Sequence, residues 1–523
     1  MRVLLVNPPY PVVESLTMPL GLLYLGARLE QVGHEVFLED LQLSRSPLRR
    51  LQQTLNRFQP DLAGVTSFSL NLPIAARILQ KIKALFPGVI TAWGGPHVSF
   101  DDMNILRQYP AVDVVVRGEG EETLLEVAER AKEGKAFHDL LGISWRGYDG
   151  HFYQNSPRRF REDLDQLPRP AWHLLKLSQY RAFGDGASIM TSRGCPHRCV
   201  FCVGRKMIGA RGRFRNPEAV VDEMEALARL GFRRIRIEDD LFTFRRERAL
   251  AICQELDRRG LSIRWRGYSR VDTIDAELLQ WMKRSGCERL LYGAESGSPE
   301  ILKRIRKGIA PEQTRRAVEM TREAGIGVLA SFVLGLPGET PQTLQQTLDF
   351  AESLRVPYTL NLLTPYVGTE VREKAEEWGI RILSHEWRYY GQGQPLTSTP
   401  SVTPWHLSRA VGKYRQGLHQ YLEDLLEQER KGTLNRENSG ELERNRHWAF
   451  LRKLIGEQIL ENFEGTLPGS GMNRVKDLAR SIAPCLGMGW EEVWKHLESP
   501  IREGQIVLVP AVGGSFRWAW ADS

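Results

Sequence analysis

Thr191-Ser192-Arg193-Gly194-Cys195-Pro196-His197-Arg198-Cys199-Val200-Phe201-Cys202 places three thiols within eight residues, in the spacing C-x3-C-x2-C. The whole 523-residue chain has six cysteines, and three packed this closely make a poor disulfide framework. Clustered thiols in a reducing compartment point instead to metal. Three thiolates hold three irons of a four-iron cluster and leave the fourth iron open to another ligand. The alternative is a zinc knuckle with His197 as fourth ligand, although common structural zinc sites pair their cysteines across longer gaps. Cys253, Cys287 and Cys485 stand far apart and read as small buried hydrophobes.

The motif follows an apolar run, Ser188 to Thr191, that opens a strand-then-helix rhythm repeated six times. The later strands are expected at Arg234 to Ile237, Arg264 to Tyr268, Arg289 to Gly293, Val328 to Leu334 and Thr359 to Leu363, with helices such as Pro217 to Leu230 and Asp275 to Arg284 between them. Six such units over residues 185–400 predict a partial (β/α)6 barrel related to the TIM barrel, with reactive residues at the carboxyl ends of its strands. Residues 1–135 also alternate. Short apolar runs (Val3 to Val6, Val36 to Leu38, Leu62 to Ser67, Val89 to Trp93, Val112 to Val116) are separated by helical patterns, which predicts a doubly wound, Rossmann-like α/β domain. Its strand ends carry Asn7-Pro8-Pro9, Thr66-Ser67, Gly94-Gly95-Pro96-His97 and Gly118-Glu119-Gly120-Glu121. Glycines there either admit a bulky ligand to the backbone or form ordinary βα turns. Residues 136–184 are expected to be a connector, with a hairpin turning at Asp149-Gly150 and a proline-punctuated run from Pro157 to Pro170.

Beyond residue 400 the chain is mostly helical, and the charged run Gln428 to Arg446 reads as a solvated linker or helix extension. From residue 447, three helices (Phe450 to Asn462, Val475 to Ile482, Glu491 to Leu497) precede strands at Gln505 to Val509 and Ser515 to Trp520, joined through Gly513-Gly514. That order resembles a winged helix. With 42% hydrophobic and 26% charged residues the composition is ordinary for a globular chain. Seventy-one basic against 64 acidic residues give +7, too weak a field over this length to argue for nucleic acid or membrane. No apolar run reaches the roughly 18 residues of a membrane span, and the N-terminus is too short for a signal peptide, so a cytoplasmic location is expected.

The cysteine motif and the strand ends after it resemble the radical S-adenosylmethionine (SAM) superfamily. In that family the open iron is chelated by SAM, and the resemblance places Phe201 near the adenine. Ile237-Glu238-Asp239-Asp240 falls where the family contacts the SAM ammonium, although the usual Gly-Gly-Glu is not literal here, and Tyr268-Ser269-Arg270-Val271-Asp272 falls where an arginine meets the SAM carboxylate. Glu295 and Ser296 match the ribose-binding strand end, Leu334 lies in the adenine segment Phe332 to Glu339, and Thr364-Pro365-Tyr366 ends the sixth strand, with Tyr366 facing the substrate. Residues 1 to about 370 together resemble the cobalamin-dependent radical SAM enzymes, most nearly the class B methyltransferases. The matching segments are Asn7-Pro8-Pro9-Tyr10, Pro19-Leu20-Gly21, Gly94 to His97 and Arg117 to Glu121. None of the eleven histidines stands in Asp-x-His-x-x-Gly, so no lower axial histidine is expected. His97 falls in a loop expected to line the nucleotide tail, with a structural role or cobalt ligation as alternatives, and Ser69-Leu70-Asn71-Leu72 is the expected neighbour of the lower corrin face.

The resemblance implies three cofactors, a [4Fe-4S] cluster, SAM and cobalamin, and an electron donor such as flavodoxin or ferredoxin. It also implies radical methylation of an unactivated carbon in a small-molecule or peptide substrate: SAM cleavage gives a 5′-deoxyadenosyl radical, and methylcobalamin then supplies the methyl group. One rival is a cyclase or rearrangement enzyme of the same family. Another is a cobalamin or iron–sulfur sensor that binds DNA through the winged-helix-like end.

Overall fold

The computed structural model describes residues 1–10, 16–391, 393–463, 472–510 and 516–521. Its first sheet has seven strands: β1 (Arg2–Asn7), β2 (Glu35–Asp40), β3 (Leu62–Thr66), β4 (Ile90–Gly94), β5 (Val114–Val116), β6 (Ile143–Arg146) and β7 (Phe152–Gln154), in the order β2-β1-β3-β4-β5-β6-β7. The first five are parallel, and β1 reads Val-Leu-Leu-Val without alternation because helices cover both faces. The expected Asp149-Gly150 hairpin forms, with Gly150 at φ +80°, but its strand β6 pairs antiparallel to β5. The hairpin is therefore the edge of the first sheet and not a connector, and a boundary at residue 135 would cut through that sheet.

The second sheet holds β8 (Ala187–Ile189). The short pair β9 (Ser192–Arg193) and β10 (Arg213–Phe214) follows in the chain, and the sheet continues with β11 (Arg234–Ile237), β12 (Arg264–Ser269), β13 (Cys287–Glu295), β14 (Gly327–Leu334) and β15 (Tyr358–Leu362). Its six strands are parallel and adjacent in chain order, as a partial barrel requires. Side chains cap helix starts between them. Asn216 accepts from the Glu218 N–H ahead of Pro217–Arg229, and Asp275 accepts from the Leu278 N–H ahead of Ala276–Arg284.

After the minor pair β16 (Arg381–Ile382) and β17 (Thr397–Ser398) come two long helices, Pro404–Arg430 and Arg436–Gly456, so Gln428 to Arg446 is helix extension on both sides of one turn. Helices Met472–Leu486 and Trp490–Arg502 and the antiparallel pair β18 (Ile506–Pro510) and β19 (Phe516–Trp520) complete the winged-helix-like order; Gly513-Gly514 lie outside the described residues. This end is docked on the rest of the chain. Trp448 meets Phe183 edge-on at 5.6 Å, and the Arg45 N–H donates to the Gly456 carbonyl at 3.0 Å. Among the described residues no helix is long and apolar enough to cross a membrane.

Candidate functional site

The carboxyl ends of the two sheets face one another across a cavity of about 800 Å³. From the first sheet it is lined by Leu20, Gly21, Thr66, Leu70, Gly94, Gly95, Pro96, Gly118, Glu119, Gly120 and Glu121, all expected from the sequence; from the barrel by Met190, Ser192, Arg193, Met207, Glu238 and Asp240. Apolar side chains such as Leu5, Leu25 and Leu124 form most of its depth, the composition of a cofactor pocket. Two glycine effects build it. A Cβ at Gly95, where φ is +110°, would lie 2.3 Å from the Ser67 carbonyl, so only glycine permits β3 and β4 to close here. At Gly21 and Gly118 a Cβ would meet nothing within 4 Å, and the missing side chains leave space on the cavity side. A broad, mostly apolar cleft floored by bare backbone suits a corrin and its tail.

Four residues expected in that site are placed elsewhere. Ser67 is fully buried and accepts from Trp93 Nε1 at 2.9 Å, tying β3 to β4. Asn71 is buried and accepts from the Phe68 N–H at 2.8 Å. Pro9 does not line the cavity, whereas the next residue, Tyr10, does. His97 is buried, with Nδ1 2.8 Å from Ser69 Oγ and its ring 4.4 Å from Trp387, edge-on. It does not line the cavity, and among the described residues no histidine does.

The cysteine loop leaves the end of β9. Gly194 has φ +101°, and a Cβ there would lie 2.0 Å from the Arg211 carbonyl. The loop is pinned by the Cys195 N–H donating to Gly209 O at 3.1 Å and the Val200 N–H to Ile305 O at 3.3 Å, while Cys202 Sγ accepts from the Gly204 N–H at 3.3 Å. Burial raises all three thiols, Cys202 to about 11; Lys307 and Arg270 act against this at Cys199, as they do at Cys195. Among the described residues no three His, Cys, Asp or Glu side chains gather for a single ion, and His197 does not join the thiols in such a group. Three thiols on one loop, two of them acted on by Arg270 and Lys307, supply the donors of a four-iron cluster with one open corner.

On the barrel side, the carboxylates after β11 divide. Glu238 lines the cavity and is held by Ser188 Oγ and Arg236, each at 3.0 Å. Asp240, which the sequence did not single out, also lines it, and burial followed by its neighbour Asp239 pushes its carboxyl up to about 6. Asp239 itself is 1% exposed and turned inward. Its Oδ1 accepts from the backbone N–H of Thr191 (2.6 Å) and Ser192 (3.0 Å), and its Oδ2 from their hydroxyls (2.5 and 2.6 Å). No acceptor capacity is left for a SAM ammonium, which corrects the expectation for this residue.

The remaining expected contacts stand off this cavity. Arg270 is bidentate to Asp272 (2.9 and 2.8 Å) and also donates to Lys307 O. Glu295, at φ +64°, pairs with Lys307 at 2.7 Å. Ser296 is buried against Thr347 at 2.9 Å, and Leu334 is buried beside Leu407. Phe201 packs on the main core, and Tyr366 lies 6.2 Å from Tyr390. Arg270 and Lys307 do face the thiols electrostatically, so this group borders the cysteine loop without sharing the large cavity.

Residues 189–351 match the family model of the radical SAM superfamily, and residues 11–128 that of the B12 binding domain. An uncharacterized methyltransferase of Pyrococcus horikoshii is 33% identical over 421 residues, 79% of this chain and 91% of its own. An anaerobic magnesium-protoporphyrin IX monomethyl ester cyclase of Rubrivivax gelatinosus is 27% identical over 435 residues, 80% of this chain and 77% of its own. Among solved structures, the cobalamin-dependent SAM radical enzyme OxsB, with aqua-cobalamin and SAM bound, superposes with TM-score 0.68 at 18% identity, over 96% of this chain and 80% of its own, a likeness of fold. A cavity walled by a B12-type sheet on one side and a three-cysteine barrel on the other agrees with these matches, and the chain belongs to the cobalamin-dependent radical SAM family.

Proposed function

We propose that the chain is a radical SAM C-methyltransferase acting on a small molecule, with residues 1–156 as its cobalamin domain and 185–400 as its SAM barrel. The observation that carries this reading is the single cavity bounded by Gly94, Gly95 and Gly118 on one side and by Ser192, Glu238 and Asp240 on the other. When bound, the cluster supplies an electron, SAM a methyl group and a hydrogen-abstracting adenosyl fragment, and cobalamin a methyl carrier. Cys195, Cys199 and Cys202 would hold the cluster, the glycine-rich strand ends and Leu20 and Leu70 the corrin and its tail. Glu238 and Asp240 would offer carboxylates to the cationic end of SAM, while Arg270 and Lys307 would offset negative charge at the thiols. The apolar walls exclude water, which keeps reactive species from side reactions. Six free cysteines support a reducing, cytoplasmic setting, with a flavodoxin or ferredoxin as electron source.

The test is anaerobic incubation of the reconstituted protein with cobalamin, SAM and a strong reductant, counting methylated cobalamin, S-adenosylhomocysteine and 5′-deoxyadenosine by mass spectrometry. Methylated cobalamin with stoichiometric S-adenosylhomocysteine is the expected result. Release of 5′-deoxyadenosine with cobalamin left unmethylated would overturn methyl transfer in favour of cyclisation or rearrangement. Absence of both from cluster-loaded protein would overturn the enzymatic reading.

A further inference from the structure

Glu119 and Glu121 were expected at the cofactor, yet their carboxylates are committed to the other half of the molecule. Arg193, two residues before the first cluster cysteine, reaches Glu119 at 3.0 Å and Glu121 at 2.5 Å. Arg213 donates to Glu119 through its two terminal guanidinium nitrogens, at 2.7 and 3.0 Å. The four side chains are only 4–12% exposed. Burial by itself would lower Arg193, but Glu121 and Glu119 reverse this and hold it above the ordinary arginine value. Burial would likewise raise Glu119, and Arg213 and Arg193 outweigh it.

Arg213 is also a hub for the backbone. It donates to Arg161 O after the hairpin and to Ile208 O behind the cysteine loop, both at 2.7 Å, and its guanidinium lies 5.0 Å above the Phe160 ring. One residue therefore joins the glycine loop of the first sheet, the segment between the domains and the loop that carries the thiols. Planar, multidentate contacts of this kind fix orientation as well as distance, which an ammonium in the same place would not.

We propose that this buried Glu119–Arg213–Arg193–Glu121 clamp is the positioning device that sets the corrin cleft against the cluster loop, with Arg213 as a positioning residue for methyl transfer to cobalt. The inference rests on the function proposed above. Cleavage of SAM at the cluster involves the barrel alone, whereas methyl transfer to cobalt needs both sheets in register. Loosening the clamp separates the two half-reactions, which a general loss of folding would not do.

The test uses the full chain and the variants Arg213→Met, Arg213→Lys and Glu119→Gln. Amide exchange of residues 117–121, measured without cofactors, is expected to quicken about tenfold or more when the charge-assisted bonds are removed, with Arg213→Met and Glu119→Gln non-additive in the double variant. In reconstituted protein, the ratio of S-adenosylhomocysteine to 5′-deoxyadenosine is expected to fall by about a hundredfold in Arg213→Met, the cost of an ångström-scale misplacement, while 5′-deoxyadenosine release persists. Arg213→Lys keeps the charge and the fold and is expected to lower the same ratio by a smaller factor. Unchanged exchange at 117–121 would overturn the clamp, and a proportional fall of both products would overturn its positioning role. If wild-type protein never methylates cobalamin, the functional reading fails, while the exchange experiment still decides the clamp.

Discussion

Replacing Asp239 separates a ligand from a structural anchor. Its carboxylate accepts four hydrogen bonds, from both backbone N–H groups and both hydroxyls of Thr191 and Ser192, in a setting that is 1% exposed. Hydrogen bonds to a charged group contribute about 1.5–3 kcal/mol each, and a buried donor left unmade costs about 1–3 kcal/mol. In Asp239→Ala the two hydroxyls can turn to other acceptors but the two N–H groups cannot. The expected loss is about 4 kcal/mol, and the strand end that launches the cysteine loop loses its fastening. Asp239→Asn is different, because the amide oxygen still receives both N–H groups and the amide nitrogen can donate to both hydroxyls, which rotate to accept. Only charge assistance is lost, about 1–2 kcal/mol. Urea titration of the full chain gives the two stabilities, and equilibrium SAM binding to reconstituted protein gives the function. Asp239→Asn is expected to retain SAM affinity within a few-fold. If it abolished SAM binding with its unfolding midpoint unmoved, Asp239 would be a SAM ligand and the anchoring argument would be wrong.

Glu339 is 1% exposed and burial pushes its carboxyl up to about 7 from 4.5. Its folded-state pKa lies above the unfolded one, so its stabilising contribution is complete below pH 4.5, declines as pH rises towards 7 and is flat beyond. The span is about 3 kcal/mol, and Glu339→Gln is expected to remove that slope from thermal unfolding midpoints taken between pH 5 and 8. Gly21 lies in the helix Leu20–Glu30, and a Cβ there meets nothing within 4 Å. Gly21→Leu is therefore expected to leave the fold intact or gain up to about 1 kcal/mol of helix propensity, while equilibrium dialysis shows cobalamin retention falling by about tenfold or more, equivalent to about 1.4 kcal/mol. Undiminished retention would move the corrin out of this cleft.

The strands of both sheets were legible to within a residue or two, because apolar runs of strand length separated by helical spacing leave little choice of element. The hairpin at Asp149-Gly150 was legible as a hairpin, but its membership of the first sheet was not. That depends on Val114–Val116 pairing with Ile143–Arg146, a contact that local pattern does not encode. At the site, glycine and apolar positions of the corrin cleft were readable, since strand ends in a doubly wound sheet gather there whatever their partners. The charged positions were legible only in part. In Glu238-Asp239-Asp240 consecutive side chains alternate in direction, so Glu238 and Asp240 reach the cavity and Asp239 turns into the barrel. Three adjacent carboxylates look equivalent on paper, and one residue of register decides which of them faces a ligand. Glu119 and Glu121 line the cavity as read, but their pairing with Arg193 and Arg213 was not legible, because those partners lie 72 to 94 residues away.

Beyond the sixth barrel strand, among the described residues, the chain meets the cavity at Gly391. After the sixth barrel strand the chain folds back on the first sheet, setting Trp387 on His97 and Gly391 so near Leu70 that a Cβ would sit 3.1 Å from that side chain. Arg372 ties this return together, donating to Pro365 O and to the Tyr390 hydroxyl, both at 2.9 Å, with its guanidinium 4.9 Å above Trp387. Gly391 lines the cavity, whereas among the described residues nothing from Pro404 onward does. The helix-and-hairpin end is instead held at Phe183 and Arg45. His97, buried and edge-on to Trp387, packs that return against the first sheet, which gives a histidine in a glycine loop a place in the packing away from the cavity lining.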